Sequence, residues 1–124
     1  MSNKFSIVIP TFKNPNYLKL CINSILKNSA FSHQIIVHIN GHDENTEKIL
    51  LEKKITYTKS FLNIGLCSGV NIASKKVSTN YILYAHDDMY FLPNWDLVLY
   101  DEVKRINHKN FYLSMTHISH MSGV

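Results

Sequence analysis

The sequence is poor in cysteine, in glycine-rich segments and in long apolar runs. Its two cysteines, Cys21 and Cys67, lie far apart without a CxxC pattern. Neither a disulfide scaffold nor a zinc site is therefore indicated, and we expect both thiols to be reduced and structural. No stretch approaches the roughly 20 apolar residues that a membrane span needs, and no glycine-rich phosphate loop is present. The N-terminus lacks the apolar core of a signal peptide, so we expect a cytoplasmic protein without a membrane span.

Positive charge is modest and is not clustered. Thirteen Lys and Arg against nine Asp and Glu give a net charge of +4, and the longest basic runs are the pairs Lys53-Lys54, Lys75-Lys76 and Lys104-Arg105. A nucleic-acid-binding protein would cluster such residues and interleave them with aromatics, so we expect no nucleic-acid partner. The small excess of positive charge indicates a solvated surface, and it also suits a phosphate-bearing ligand.

Short apolar segments alternate with segments of helical spacing along the whole chain. With 124 residues, 45% of them hydrophobic and 18% charged, the chain is expected to form one folded domain. The predicted strands are Phe5–Pro10, Gln34–Ile39, Ile55–Ser60, Tyr81–Ala85 and Phe111–Met115. The predicted helices are Pro15–Asn28 with Asn14 as its N-cap, Asn45–Lys53, Leu66–Lys76 and Trp95–Ile106. This order predicts an α/β fold with a mostly parallel sheet and helices on both faces.

Sheets of this kind bind ligands outside the carboxyl ends of their strands, at a topological switch point. The segments Pro10–Asn14, Asn40–Glu44 and His86–Met89 follow three predicted strands. We therefore expect these three segments to share one cleft.

Two adjacent carboxylates, Asp87 and Asp88, come directly after the hydrophobic segment Tyr81–Ala85. Two like charges side by side cost free energy unless a positive charge lies near them. A divalent cation with phosphate oxygens is a natural partner, because Mg²⁺ is usually held by one or two carboxylates together with substrate phosphates. The alternative interpretation is an acidic turn in solvent that caps the next segment.

Several motifs together resemble family 2 glycosyltransferases of the GT-A fold. The opening strand and Pro10-Thr11-Phe12-Lys13-Asn14 are similar to that family's strand followed by Pro-Thr-Tyr-Asn. Asn63-Ile64-Gly65 followed by Asn71 resembles its Asn-x-Gly…Asn stretch. His86-Asp87-Asp88 resembles its Asp-x-Asp metal motif, and Met89 through Trp95 resembles the segment that follows that motif. The resemblance runs from Phe5 to about Met115 and implies a Rossmann-like, nucleotide-sugar-binding fold.

The resemblance implies a role for each matched residue at the nucleotide. Phe12 matches the aromatic position that packs near the nucleobase, and Pro10 and Thr11 line the same wall. Asn40 matches the second acid of the family's Asp-Asp-Gly-Ser turn, which hydrogen-bonds uracil. Here both acids of that turn are missing, because the segment reads Ile39-Asn40-Gly41-His42.

At the other end of the expected site, the resemblance assigns Asp87 to the ribose or the sugar. It assigns Asp88 to the Mn²⁺ or Mg²⁺ ion that bridges the two phosphates. His86 replaces the first acid of the motif, and we interpret it as a supporting residue that is not a ligand.

By resemblance the chain is expected to use a nucleotide-diphosphate sugar, with a UDP-sugar as the expected donor and a glycan or lipid-linked acceptor. The transfer would be metal-dependent and inverting. The family's general base is a carboxylate in the C-terminal half of the domain, whereas Glu102 is the last acidic residue here. We therefore expect residues 1–124 to form a donor-binding domain that lacks the acceptor part. His117 or His120 as base, and a non-catalytic nucleotide-binding module, are the alternatives.

Overall fold

The computed structural model describes residues 2–106 and 111–113 as a parallel four-stranded sheet covered by helices. The elements in chain order are β1 (Ser6–Thr11), α1 (Pro15–Asn28), β2 (Gln34–Asn40), α2 (Glu44–Glu52), β3 (Thr56–Ser60), α3 (Leu66–Ser74), β4 (Ile82–Tyr84) and α4 (Trp95–Arg105). The strand order is β3-β2-β1-β4, and every pair is parallel. The predicted α/β class is therefore confirmed.

Helices cover both faces of the sheet because the central strands are apolar on both sides. On one face, alternate residues of β1 and β2 such as Ile7, Ile9 and Val37 join the buried side chains of α1, α2 and α4 in the larger core. On the other face, Val8 and Ile36 pack against α3. Continuous apolar runs of this kind are typical of a parallel strand that is buried on both faces.

The residue Pro10, predicted to end the first strand, lies inside β1. Ser6 donates its backbone N–H to Tyr81 and Val8 accepts from Ala85, so the even-numbered residues of β1 direct their backbone groups toward β4. The pairing with β4 stops at Val8. A proline two residues later therefore removes no hydrogen bond from the ladder.

One helix, α2, starts at a different residue from the prediction because of its N-terminal cap. α2 begins at Glu44, one residue earlier than predicted, because the Asp43 carboxylate accepts from both the backbone N–H and the hydroxyl of Thr46. α1 begins at Pro15 as predicted, but Asn14 makes no side-chain capping bond. Its amide therefore remains available at the end of β1.

The predicted fifth strand, Phe111–Met115, is only partly within the described residues. Residues 111–113 form no strand, and Ser114 and Met115 lie outside the described part. Within that part, no helix is long and apolar enough to cross a membrane.

The start of α4 is joined to the loop before β2 by the buried carboxylate of Asp96. It accepts from the backbone N–H groups of Ala30 and Phe31 at 2.9 and 2.8 Å, and it lies 2.8 Å from Nε2 of His33. Burial alone would raise the pKa of the Asp96 carboxyl, but these donors hold that pKa below its usual value. The first turn of α4 is therefore fixed by charge-assisted bonds.

Candidate functional site

A cleft of about 320 Å³ opens at the carboxyl ends of β1 and β4. From β1 the strands β2 and β3 follow on one side of the sheet, whereas β4 lies on the other side of β1. The gap between the ends of β1 and β4 is therefore the topological switch point. The residues that line the cleft are Pro10, Thr11, Phe12, Asn14, Asn40, Asn63, Gly65, Leu66, His86 and Asp87. Its volume falls within the range of about 300–1,000 Å³ that is usual for small-molecule sites.

Thr11 and Asp87 join the two strands at the floor of the cleft. The Thr11 hydroxyl, at the end of β1, donates to Oδ2 of Asp87 at 2.8 Å. This bond connects the end of β1 to the loop after β4, and the other carboxylate oxygen of Asp87 receives no bond from Thr11. The structure thus places two residues predicted from sequence in direct contact.

Asp88 is exposed and does not line the cleft, although it is next to Asp87. Among the described residues it makes no ion pair. Both carboxylates lie close enough to Cys21 to affect it. Burial, followed by the charges of Asp87 and then Asp88, raises the pKa of the Cys21 thiol to about 12. The Cys21 thiol is therefore neutral beneath the two carboxylates.

Polar side chains on the buried face of α1 hold the segment that carries the carboxylates. The Cys21 thiol donates to the carbonyl of His86 at 3.7 Å, and the Ser24 hydroxyl accepts from the N–H of Phe91 at 2.9 Å. Asn28 donates to the carbonyl of Phe91 at 2.7 Å. These residues occur at helical spacing on one face, so a single helix positions the loop after β4. Sequence reasoning treated Cys21 as core and missed this polar stripe.

Phe12 also lines the cleft and is 48% exposed. Next to it, Lys13 has a φ of 48°, a left-handed conformation that is uncommon for a residue with a side chain. The Lys13 ammonium lies 5.4 Å from the centre of the Phe12 ring, within cation–π range. An aromatic face and a positive charge are therefore presented together at the end of β1.

The side-chain amide of Asn40 is almost fully buried, at 2% exposure. Its oxygen accepts from the N–H of Ile64 at 3.3 Å, and its nitrogen donates to the carbonyl of Gly65 at 3.2 Å. The amide thus holds the segment between β3 and α3, and one N–H of the amide remains for a ligand. Asn40 lines the cleft, as the pattern predicts, but most of its hydrogen-bonding capacity is used within the protein.

The segment 63–65 contributes Asn63 and Gly65 to the cleft. The Asn63 side chain accepts from the N–H of Gly65 at 3.0 Å, and Gly65 precedes α3 with a φ of 87°. That backbone angle favours glycine. The Asn63-Ile64-Gly65 motif was recognised in the sequence, but neither its asparagine nor its glycine was assigned to the site. The signal that could have placed them there is an Asn-x-Gly turn directly before a helix.

The expected segment Asn40–Glu44 divides between two cavities. Asn40 lines the cleft, whereas Gly41, His42 and Asp43 line a second cavity of about 240 Å³. Glu47 closes one side of this second cavity, where it accepts from Lys59 at 2.8 Å. Its carboxylate is therefore already paired.

Among the other predicted residues, His86 lines the cleft, and its Nδ1 lies 3.5 Å from the Tyr84 hydroxyl. His117 and His120 lie outside the described residues. In the part of the chain that the structure describes, no three His, Cys, Asp or Glu side chains come together as a metal site.

The family model described as "Glycosyl transferase family 2" matches residues 6–124. An uncharacterized glycosyltransferase of Rickettsia conorii is 31% identical over 122 residues, which cover 84% of this chain and 20% of that protein. One of Rickettsia typhi is 30% identical over 124 residues, which cover 87% of this chain and 39% of that protein. The chain therefore spans well under half the length of these relatives.

Two solved structures show the same fold at low sequence identity. TarS of S. aureus in complex with UDP superposes with a TM-score of 0.69 at 21% identity, over 82% of this chain and 31% of that one. The mannosyltransferase PcManGT of Pyrobaculum calidifontis, in complex with GDP-Man and Mn²⁺, gives a TM-score of 0.67 at 11% identity, over 77% of this chain and 30% of that one. Both are glycosyltransferases of the GT-A fold, which is thereby confirmed here.

Proposed function

Since this chain belongs to glycosyl transferase family 2, we propose that its cleft binds a nucleotide-diphosphate sugar for transfer of the sugar to a hydroxyl acceptor. The observation that carries the proposal is the Thr11–Asp87 hydrogen bond of 2.8 Å at the switch point. It orients a carboxylate at the floor of a cleft that also has an aromatic wall at Phe12. A nucleotide needs both features, because its base stacks and its ribose donates hydroxyl hydrogens.

The proposed orientation places the base near Phe12 and the sugar near Asp87. Phe12 supplies an exposed ring face, Pro10 and Thr11 extend the same wall, and the remaining N–H of the Asn40 amide donates to a base carbonyl. We propose a UDP-sugar as the donor, and uracil offers such a carbonyl. The oxygen of Asp87 that is not bonded to Thr11 accepts from a ribose or sugar hydroxyl.

Asp88 is proposed to ligate Mn²⁺ or Mg²⁺ together with the two phosphates. Its exposed carboxylate, without an ion pair among the described residues, supports this role. Such an ion would stabilise the charge that develops on the departing diphosphate. Cys21 is assigned no ligand role, because it is fully buried and its thiol donates to the carbonyl of His86.

The test is a calorimetric titration with UDP, GDP and dTDP, each with Mn²⁺ and with EDTA. We expect UDP to bind most tightly and only weakly in EDTA, since the phosphates and the two carboxylates otherwise repel each other. Asp88→Asn should weaken binding strongly in Mn²⁺ and little in EDTA. Asp101→Asn is the matched control, because Asp101 is an exposed carboxylate on α4 that does not line the cleft. Equal losses in both conditions for Asp88→Asn would show that Asp88 supports structure and not metal.

Inverting transfer also requires a base for the acceptor hydroxyl, and Asp87 and Asp88 are both assigned to the donor. No Asp or Glu follows Glu102 in the sequence. We propose that residues 1–124 by themselves bind the donor and transfer the sugar slowly, because Asp87 is the one carboxylate among the described residues that line the cleft and the lack of a general base costs roughly 10²–10⁴-fold in rate. Released nucleotide and extended glycan or lipid-linked product are measured separately. Rapid transfer to an acceptor would contradict this and would make His117 and His120 the first residues to mutate.

The single carboxylate among the described cleft-lining residues, Asp87, favours one second candidate, a nucleotide-diphosphate-binding module without turnover. Both candidates predict binding of the nucleotide. Only the transferase predicts that the donor sugar is consumed, either by an acceptor or by slow hydrolysis. Binding without any release of nucleotide over prolonged incubation would support the module.

A further inference from the structure

His38 is a fully buried polar residue in the sheet face that packs against α3. Its exposed fraction is 0%, and it lies two residues after Ile36 on the same face of β2, opposite Pro10 of β1. Its Nδ1 lies 2.7 Å from the hydroxyl of Thr58, and its Nε2 lies 3.1 Å from the hydroxyl of Ser60. Because burying a polar ring costs free energy unless it is hydrogen-bonded, these two bonds are needed to hold the ring in this position.

The hydrogen bonds of Ser60 fix the protonation of the ring. The Ser60 hydroxyl lies 2.7 Å from the carbonyl oxygen of Leu62 and 3.4 Å from Oδ1 of Asn40, and both of these oxygens can only accept. The single hydroxyl proton is therefore donated to one of them, Leu62 being the nearer, and Ser60 must accept from His38. Nε2 of His38 then carries the hydrogen, and Nδ1 accepts from Thr58. The ring is neutral, in agreement with the lowering of the His38 pKa by burial.

Ser60 lies at the end of β3, where the segment 60–65 leaves the sheet for the cleft. The side chains of Phe61 and Leu62 are exposed, so little apolar packing anchors this segment. Hydrogen bonds hold it instead. Ser60 bonds to Leu62 within the segment, and the Asn40 amide bonds to Ser60, Ile64 and Gly65. The segment ends at the part of the cleft wall formed by residues 63–65.

We propose that His38 is a positioning residue for the nucleotide, which acts through Ser60 to hold the segment 60–65 as the base-side wall of the cleft. The ring touches no ligand itself, because α3 covers it. Gly69 of α3 approaches the ring so closely that a Cβ there would lie 2.8 Å from Cδ2 of His38. The helix thereby keeps the ring from rotating away from Ser60. The nucleotide part of this proposal rests on the proposed function.

The first experiment tests the wall without any nucleotide. Ring ¹⁵N chemical shifts at neutral pH should show the Nε2–H tautomer of His38 in the wild-type chain. His38→Leu removes the donor, and His38→Gln keeps a side-chain N–H that reaches Ser60. We expect amide hydrogen exchange at Ile64 to become about tenfold faster in His38→Leu, as the loss of one buried hydrogen bond implies, and to stay near wild type in His38→Gln.

Two further variants separate this effect from general destabilisation. Ile36→Ala removes apolar volume from the same face of the same strand, so it should lower the melting temperature. Amide exchange at Ile64 should then change no more than exchange of the amides that open only on global unfolding. Ser60→Ala leaves the buried ring in place and removes its acceptor together with the Ser60 bonds to Leu62 and Asn40, so it tests the connection through Ser60 if His38→Leu does not fold. A ring with the Nδ1–H tautomer, or exchange at Ile64 equally fast in the Ile36→Ala control, would overturn the proposal.

The second experiment measures affinity for UDP with Mn²⁺ in the same variants. We expect about tenfold weaker binding for His38→Leu and Ser60→Ala, and nearly wild-type binding for His38→Gln and Ile36→Ala. Wild-type affinity in a variant whose segment 60–65 exchanges faster would overturn the positioning role. If the wild-type chain binds none of the nucleotides, the proposed function fails, while exchange at Ile64 still decides whether His38 holds the wall.

Discussion

Gly69 lies inside α3, and replacing it with alanine is the most direct test of the packing beneath the cleft. In an exposed helix interior, Gly→Ala stabilises by about 1 kcal/mol, because glycine loses more backbone entropy on folding. Gly69 is buried, and an added Cβ would lie 2.8 Å from Cδ2 of His38 and 3.3 Å from Nδ2 of Asn40. The His38 ring cannot move aside without losing its bonds to Thr58 and Ser60. We therefore expect Gly69→Ala to destabilise the protein.

The magnitude follows from two opposing contributions. Overpacking of a close-packed site costs about 1–3 kcal/mol, and a 2.8 Å approach to a fixed ring places this substitution near the upper end. Subtracting the gain in helix propensity of about 1 kcal/mol leaves a net loss of about 2 kcal/mol. Urea denaturation followed by tryptophan fluorescence of Trp95 measures this loss directly.

Two variants make this result interpretable. Asn71→Ala changes an exposed position of the same helix, so it should be neutral or slightly stabilising. In a His38→Ala background the obstructing ring is absent, and Gly69→Ala should then stabilise by about 1 kcal/mol. A stabilising effect of Gly69→Ala in the wild-type background would refute the close approach of α3 to His38.

The remaining predictions concern three titratable groups, Asp96, His38 and Cys21. Asp96→Ala should destabilise by about 3–5 kcal/mol in urea denaturation, because buried N–H groups lose their charged acceptor. The pKa of Asp96 is lower in the folded than in the unfolded protein, so on acidification the unfolded chain takes up the proton first. Wild-type stability should therefore decrease as the pH drops below about 4, and this decrease should be smaller in Asp96→Asn. Burial also lowers the pKa of His38, so acidification below about pH 6.5 should reduce stability less in His38→Gln than in wild type. Iodoacetamide at pH 8 should label the exposed Cys67 and leave Cys21 unmodified until the chain unfolds, because only the thiolate reacts and the pKa of Cys21 is about 12.

The sequence determined the architecture because its signals are local and repeated. Apolar strands with β-branched residues alternate with segments of helical period, and this alternation is enough to predict a parallel sheet covered on both faces. The position of Asp87 at the end of an apolar strand, together with Thr11 at the end of another, predicts that the two meet at the carboxyl edge. The structure places them 2.8 Å apart.

The ends of the helices and strands were less predictable, because each depends on one or two specific interactions. The bonds from Asp43 to Thr46 start α2 one residue early, and Pro10 continues β1 only because β4 has already ended on that side. Neither effect is visible in hydrophobic periodicity, since each depends on which backbone groups a neighbouring element leaves unpaired.

Only the tertiary structure decided how the cleft wall is held. Asn40 was predicted to face a base, yet its buried amide mainly holds the segment before α3. Gly69 has an unfavourable propensity for its helix, and the reason is a histidine ring from a strand 31 positions earlier, a contact brought about by packing. Hydrogen-bond partners of this kind lie far apart in the chain, so the pattern around either residue carries no sign of the other until the sheet and helix pack together.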